Sequence, residues 1–296
     1  MNFVFYLHDE TSLQNFEQKL LWFRKHYRLV SNKDVEEHLY NGLPLRNSCH
    51  ITVDDGWLST YRIIFPVIKK YNIPITIFVS PHIAQTGENF WYKEYLSFDE
   101  NMLRSMLVEE GIFTSEMKSF PLDLIFKEMK IDDVIALLSQ YKHKHKHKIK
   151  LLERGFLNVD ELREMQDSGL VEIGAHTMTH PILANETSER SWSEIKLSVD
   201  TLSMLLNKEV YTFAYPNGLY GLDFTEREME SARRCGLKTA FSVNPGTLNK
   251  NISPLSIPRV GSQKRLLLGR MGLHLPTMHD QEKPRRQIRF FRNMSY

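Results

Sequence analysis

Strand-like and helix-like segments alternate along most of this chain. Short runs rich in β-branched and aromatic residues are separated by segments whose apolar residues recur with helical spacing; the strand candidates are 3–7, 50–53, 75–79, 170–175, 210–214, 239–243 and 257–260. Parallel neighbouring strands need a crossover between them, and a helix usually supplies it. The alternation therefore predicts an α/β fold with mostly parallel strands.

Composition limits the class of protein and its partners. The 296 residues are 42% hydrophobic and 25% charged, which excludes a disordered, collagen-like or fibrous chain. The net charge of +2 provides no overall field for nucleic acid, and no nucleic-acid partner is predicted. Two cysteines, Cys49 and Cys235, favour a reducing compartment. There is no basic start of a secretory signal and no run of roughly 18 apolar residues, so a cytoplasmic protein is expected.

The middle and the end of the chain depart from the alternating pattern. We predict one barrel domain over residues 1–260, with a helical insertion at about 90–155, and a basic C-terminal segment over 261–296. The insertion includes alternating Lys and His at 142–148, which we interpret as a solvated linker because no acid or Cys completes a metal-ligand set. The C-terminal segment is also expected to be solvated, with peripheral contact to an anionic membrane as the alternative.

A helix is predicted over 191–206, after the strand candidate at 170–175. Ser191 and Glu194 have the spacing of a capping box, in which a serine hydroxyl and a glutamate three residues later bind each other's backbone N–H groups. The sequence therefore predicts that this helix begins at Ser191, with Glu194 as part of its cap.

Two adjacent carboxylates end the strand candidate at 50–53, in the sequence TVDDG at 52–56. Like charges this close raise each other's pKa, and adjacent strand residues point to opposite faces. Asp54 and Asp55 can reach one site only if the chain turns there, which Gly56 permits. The alternative is a simple turn that caps the next helix.

Two histidines follow the strand candidate at 170–175, in the sequence HTMTHP at 176–181. The proline disfavours helical geometry at His180, so His176 and His180 are expected on a loop at the carboxyl end of a strand. Barrels place their active sites at that face. The alternative is two ordinary surface or core histidines. Combined with an aspartate, the pair gives three ligands and an open fourth position, the pattern of a catalytic metal site.

These two motifs, together with FAYPNG at 213–218, resemble the first three motifs of the polysaccharide deacetylase family, also called the NodB-homology domain or carbohydrate esterase family 4. The resemblance covers His8 to about Val260. It implies a distorted (β/α)7 barrel and a metal-dependent hydrolase that removes an N-acetyl group from an amino sugar or glycan precursor. Zinc is the expected metal, and cobalt, nickel and iron also suit such ligands.

The resemblance also implies roles for individual residues. Asp54 matches the general base, and the metal ligands are Asp55, His176 and His180. The third motif lines the site wall around Tyr215, and the backbone N–H at Asn217 helps to hold the oxyanion. Trp57, beside the first motif, is expected to stack on a sugar ring.

Two departures from the family pattern concern the base and the acid. Many members carry an arginine in the third motif that orients the base, whereas this chain has Ala214 there. Arg259 is a candidate replacement, with a surface salt bridge as the equal alternative. The late motif that supplies the acid is not evident, and His274 is its nearest match. His8 resembles the N-terminal acid of a subgroup similar to the poly-N-acetylglucosamine deacetylases.

The departures leave other functions open. A non-catalytic glycan-binding protein on the same fold is one alternative, and an esterase or amidase that acts on another acyl group is a second. A cytoplasmic enzyme would meet a nucleotide sugar, a lipid-linked intermediate or an oligosaccharide precursor as its acetylated substrate.

Overall fold

The computed structural model describes residues 1–112, 117, 119–261 and 279–294. In this part of the chain, parallel strands form one curled sheet in the order β7-β6-β5-β4-β3-β1-β8, and β2 pairs with the first half of β3. The strands are β1 (Phe3–Leu7), β2 (Arg28–Val30), β3 (Ser48–Val53), β4 (Ile75–Val79), β5 (Val171–Ala175), β6 (Thr212–Ala214), β7 (Thr239–Phe241) and β8 (Val260–Gly261). The predicted parallel α/β fold is confirmed.

The last strand segment brings the two edges of the sheet together. Ile257 forms a parallel bridge with Phe241 of β7, and Val260 in β8 pairs with Phe5 of β1. Because one short segment contacts both β7 and β1, the sheet curls into the distorted barrel that the sequence predicted. All strands run the same way, so their carboxyl ends meet at one rim.

Helices cover the outside of the barrel and form the insertion. They are α1 (Leu13–His26), α2 (Asn32–Tyr40), α3 (Phe65–Tyr71), α4 (Pro81–Thr86), α5 (Trp91–Glu94), α6 (Glu100–Glu109), α7 (Leu122–Phe126), α8 (Ile131–His145), α9 (Val159–Asp167), α10 (Ser188–Leu206), α11 (Glu226–Arg234) and α12 (His279–Met294). Among the described residues, no helix combines the length and the apolar character needed to cross a bilayer.

Helix α10 begins earlier than the sequence predicted. Thr187 caps it by accepting a hydrogen bond from the Arg190 N–H, so the helix starts at Ser188. The Ser191 hydroxyl donates instead to Glu228, at 2.8 Å. The predicted capping box of Ser191 and Glu194 is therefore wrong, and the Glu194 carboxylate is available for contacts outside its own helix.

Helices α5 to α8 build a core of their own beside the barrel core. Leu103, Leu107 and Ile125 are fully buried there, and Ile288 of α12 packs among them. The linker interpretation of the Lys/His run is wrong for its first half, because α8 continues to His145, whose ring lies 4.9 Å from that of Tyr141.

Helix α12 fastens the insertion to the barrel through buried charges. The Arg285 guanidinium is 2% exposed and donates to Glu128 of the insertion and to Asp223 of the barrel, at 2.6 and 2.5 Å. Arg289 donates to the other oxygen of Glu128, at 2.7 Å. The expectation of a solvated terminal segment is therefore wrong for Arg285, because two buried carboxylates require a buried cation between them.

Candidate active site

The predicted motifs lie at the carboxyl-terminal rim of the barrel, each held by a neighbouring strand. Asp54 follows β3, and its N–H donates to the Leu7 carbonyl at the end of β1, at 2.9 Å. His176 follows β5, and its N–H donates to the Val79 carbonyl at the end of β4, at 3.0 Å. The sheet's own hydrogen bonding therefore extends into both motifs and fixes where their side chains start.

A left-handed turn brings both carboxylates to the same side. Asp55 has φ +69° and Gly56 has φ +67°. Aspartate tolerates this conformation better than most residues, and glycine adopts it freely. A Cβ atom at Gly56 would lie 2.7 Å from Cγ1 of Val79, so both the conformation and the close packing require glycine there. The turn lies at the position predicted from the sequence, and it allows one site to contain both carboxylates.

Asp55, His176 and His180 form a buried group with the donor set of a metal centre. Asp55 Oδ1 lies 3.4 Å from His176 Nε2 and 3.3 Å from His180 Nε2. All three ligand atoms lie within 4.8 Å of one another. Within the described residues, Asp55 Oδ1 has no hydrogen-bond partner although it is buried. An unpaired buried carboxylate oxygen that faces two imidazole nitrogens fits a divalent cation.

The charges in this group also suit a cation. Burial alone would raise the pKa of Asp55, but the imidazoles of His176 and His180 outweigh it and hold that pKa well below its usual range. Burial lowers the pKa of His180 despite the neighbouring carboxylate, which favours the neutral imidazole. An ionised aspartate and a neutral histidine are the protonation states in which these side chains bind metal.

Neighbouring groups orient two of the three side chains. His176 Nδ1 lies 2.6 Å from the Ala214 carbonyl, which leaves Nε2 to face the site. The Trp57 indole N–H donates to Asp55 Oδ2 at 3.1 Å, which leaves Oδ1 to face the histidines. Such outer contacts select the tautomer and the orientation of metal ligands. Trp57, expected to stack on sugar, is thus partly committed to Asp55.

Glu194, assigned to a helix cap by the sequence, holds the loop between the two histidines. Its carboxylate accepts hydrogen bonds from the N–H groups of Met178 and Thr179, at 2.9 and 3.0 Å, and from the Thr179 hydroxyl at 2.8 Å. Thr177 and His180 have φ of +62° and +60°, so this loop is strained. A buried carboxylate that accepts three hydrogen bonds stabilises it in that form.

Arg259 holds Asp54. Its Nη1 and Nη2 donate to the two carboxylate oxygens at 2.7 and 2.8 Å, and its Nε donates to the Ser242 carbonyl at 2.9 Å. The guanidinium is fully buried, so the surface salt bridge considered above is wrong. Burial would raise the pKa of Asp54, but Arg259 and the nearby histidines outweigh it and leave that pKa below its usual value. Asp54 is therefore ionised at neutral pH.

The remaining predicted residues lie at different depths. His8 is exposed directly after β1, with its ring 5.6 Å from that of Tyr6, and a positive charge on it would lower the pKa of both Asp54 and Asp55. Asn217 is partly exposed on the third motif with φ +57°. Tyr215 is fully buried and its hydroxyl donates to the Leu255 carbonyl at 3.0 Å, so it supports the wall from the core side. His274 lies outside the described residues.

The helical insertion brings side chains to the site that the sequence did not single out as site residues. The rings of Phe90 and Tyr92 lie 5.3 and 5.1 Å from the His180 ring. The Trp91 indole N–H donates to the His180 carbonyl at 3.1 Å while its ring packs on Tyr95 and Phe126. The run of three aromatic residues was the available signal, but helical periodicity does not say which site such a run contacts.

Comparison with known proteins identifies the family. A family model described as Polysaccharide deacetylase matches residues 44–240, which contain the Asp pair, the His pair and the third motif. The chain belongs to the polysaccharide deacetylase family. The predicted class, a metal-dependent carbohydrate deacetylase, is confirmed by this membership together with the Asp55-His176-His180 group.

Individual relatives are distant but cover most of the chain. The Poly-beta-1,6-N-acetyl-D-glucosamine N-deacetylase of Staphylococcus aureus is 24% identical, over 88% of this chain and 72% of that protein. The structure of IcaB from Ammonifex degensii superposes with a TM-score of 0.60 at 19% identity, covering 89% of this chain and 93% of that one. The Streptococcus pyogenes deacetylase PplD, solved in complex with acetate, gives 0.58 at 19% identity, with 88% and 90% covered. These two structures support the fold.

Proposed function

We propose that this deacetylase removes N-acetyl groups from amino-sugar residues of a glycan, with Asp54 as general base and His8 as general acid. The observation that carries the proposal is the buried Asp55-His176-His180 group beside an aspartate held by a buried arginine. The three-residue group accounts for metal binding, and Asp54, which it does not use, is free to accept a proton. A purely glycan-binding protein would need neither arrangement.

Asp55, His176 and His180 would hold a divalent metal, most simply zinc, with cobalt, nickel and iron as alternatives; when bound, it supplies Lewis-acid chemistry and an acidified water. Asp54 takes a proton from the attacking water at a carboxylate oxygen. Each oxygen keeps a lone pair beyond the one that Arg259 occupies, so the guanidinium orients the base without blocking it.

The other proposed residues act on the substrate. His8, exposed at the rim, donates a proton to the leaving nitrogen, which departs as a free amine. The backbone N–H at Asn217 donates to the acyl oxygen, and one such donor is typically worth about 3 kcal/mol of barrier. Trp57 offers the uncommitted part of its ring to a sugar.

The first substrate to test is an oligomer of N-acetylglucosamine, because the Staphylococcus aureus relative is named for that sugar. A nucleotide sugar and a lipid-linked intermediate are the other candidates. Two free cysteines support a cytoplasmic location, which would favour those precursors. Peripheral membrane contact through the C-terminal segment is less favoured, because Arg285 and Arg289 are used in internal ion pairs.

The test combines elemental analysis with acetate release, on wild type, Asp55→Ala and the exposed control Asp160→Ala. We expect about one metal per chain and acetate release in wild type and control, and loss of both in Asp55→Ala. A new amine in the product identifies a deacetylase, and a new hydroxyl an esterase. A protein that binds glycan but takes up no added zinc, cobalt or nickel and releases no acetate would be the non-catalytic binder instead.

A further inference from the structure

The first helix of the insertion presents a tyrosine to the metal group. Trp91 in α5 donates to the His180 carbonyl at 3.1 Å, which fixes this helix against the loop that carries the ligand. The next residue, Tyr92, has its ring centroid 5.1 Å from that of His180 and 6.3 Å from that of Trp57. The ring also stacks on Phe90, at 5.1 Å and 14°. Tyr92 is therefore held between a metal ligand and the residue that orients another.

The Tyr92 hydroxyl is a buried donor without a completed bond. Within the described residues the hydroxyl makes no hydrogen bond that meets normal distance and angle limits, although the Asp55 carboxylate lies beside it. A buried polar group left unpaired is costly, because it has given up its hydrogen bonds to water. A phenol loses its proton only at about pH 10, so the hydroxyl is a hydrogen-bond donor at neutral pH.

The Asp55 carboxylate is adjacent to the hydroxyl, but no hydrogen bond within normal distance and angle limits joins the two groups in the described part of the chain. Asp55 Oδ2 accepts the Trp57 indole N–H, and Oδ1 faces His176 and His180. The hydroxyl is thus available to an oxygen of a molecule bound in the site. In amide hydrolysis one such oxygen, the acyl oxygen, gains negative charge as water attacks, and a fixed neutral donor stabilises it without a reorganisation cost.

We propose that Tyr92 is a further catalytic residue, whose hydroxyl donates a hydrogen bond to the acyl oxygen as that oxygen becomes negatively charged. The inference rests on the proposed deacetylase function. It also gives the insertion a direct part in the reaction, since α5 supplies a donor from outside the barrel. The backbone N–H at Asn217 and the Tyr92 hydroxyl would then act on the same oxygen from two elements.

The test is Tyr92→Phe, which removes one oxygen atom and keeps the ring contacts with Phe90 and His180. Tyr95→Phe is the control: the same change in the same insertion, on a ring that packs against Trp91 and Phe126. We expect kcat to fall about 100-fold in Tyr92→Phe with KM nearly unchanged, as for loss of one oxyanion donor. Tyr95→Phe should keep wild-type kcat. Zinc affinity, measured by competition with a chromophoric chelator, should stay within about twofold in both variants.

The outcomes separate this inference from the proposed function. If wild type releases no acetate, the deacetylase proposal fails and the role of Tyr92 fails with it. If wild type is active and Tyr92→Phe keeps more than half of its kcat, only the inference about Tyr92 is overturned. If the variant instead loses zinc affinity tenfold or more, the hydroxyl positions Asp55, and the proposed contact with the acyl oxygen is again overturned.

Discussion

Replacing Glu194 by alanine tests whether helix α10 holds the metal-ligand loop in its strained form. The 3%-exposed carboxylate accepts three hydrogen bonds, two from the backbone N–H groups of Met178 and Thr179 and one from the Thr179 hydroxyl. Hydrogen bonds to a charged group contribute about 1.5–3 kcal/mol each, so the three removed bonds amount to roughly 4.5–9 kcal/mol before any relaxation. Part of this loss is recovered when the loop relaxes and water reaches its N–H groups.

Relaxation of this loop should be visible as a loss of metal affinity. Thr177 and His180 both have positive φ, so a released loop moves His180 Nε2 away from Asp55. We expect zinc affinity to fall about 10–100-fold, as for other partners that orient ligands. The assay is competition with a chromophoric chelator, accompanied by urea unfolding of the metal-free protein to register the stability loss.

The matched control is Asp200→Ala on the same helix. Asp200 is half-exposed and, within the described residues, its ion pair is with Lys196 one turn away, an interaction worth about 0.3–0.5 kcal/mol. It should leave zinc affinity unchanged. If Glu194→Ala is folded and binds zinc within twofold of wild type, the loop holds its shape without Glu194 and the reasoning is refuted.

Two further predictions concern pH. Arg259→Met removes the charge that opposes burial at Asp54, so the pKa of Asp54 should rise and the acidic limb of the kcat profile should move to higher pH; an unshifted limb would mean that Asp54 is not the titrating base. Burial lowers the pKa of His50 from 6.5 to about 4. As the pH falls through this range, His50 therefore binds a proton in the unfolded chain but not in the folded one. The free energy of unfolding should therefore fall by roughly 3 kcal/mol from pH 7 to pH 4. His50→Gln should be less stable at pH 7, and its free energy of unfolding in urea should depend less on pH. Equal slopes against pH in the two proteins would contradict this account.

The positions of the proposed metal ligands were accessible to sequence reasoning because they depend on local rules. Asp54 and Asp55 directly follow β3, and His176 directly follows β5. In a parallel sheet the carboxyl ends of strands meet at one rim, so recognising two strands was enough to bring these residues near each other. The turn at Gly56 followed from the same argument, since two adjacent side chains share a face only where the strand ends.

The supporting residues were not accessible, because their contacts are tertiary. Glu194 has ideal capping-box spacing from Ser191, but Thr187 caps the helix first and the loop at Met178 competes for the carboxylate. Tyr92 lies in a segment whose periodicity predicts helix and says nothing of where the helix docks. Tyr215 belongs to a recognised motif, yet its ring stacks on Phe224 at 3.8 Å inside the core. A motif locates a segment, and packing decides which of its side chains face the substrate.

Backbone conformation shows how this rim differs from the rest of the described barrel. Outside the site, the non-glycine residues with positive φ are Asn47, Asn72 and Asn207, and asparagine tolerates that region well. At the site the same conformation is adopted by Asp55, Thr177, His180 and Asn217. Each strained residue costs about 1–3 kcal/mol. Threonine is the most costly member of this set, because β-branched residues rarely adopt positive φ. The rim keeps these conformations because Glu194, the Trp91 indole and the ends of the strands hold the loops that bring Asp55, His176 and His180 together.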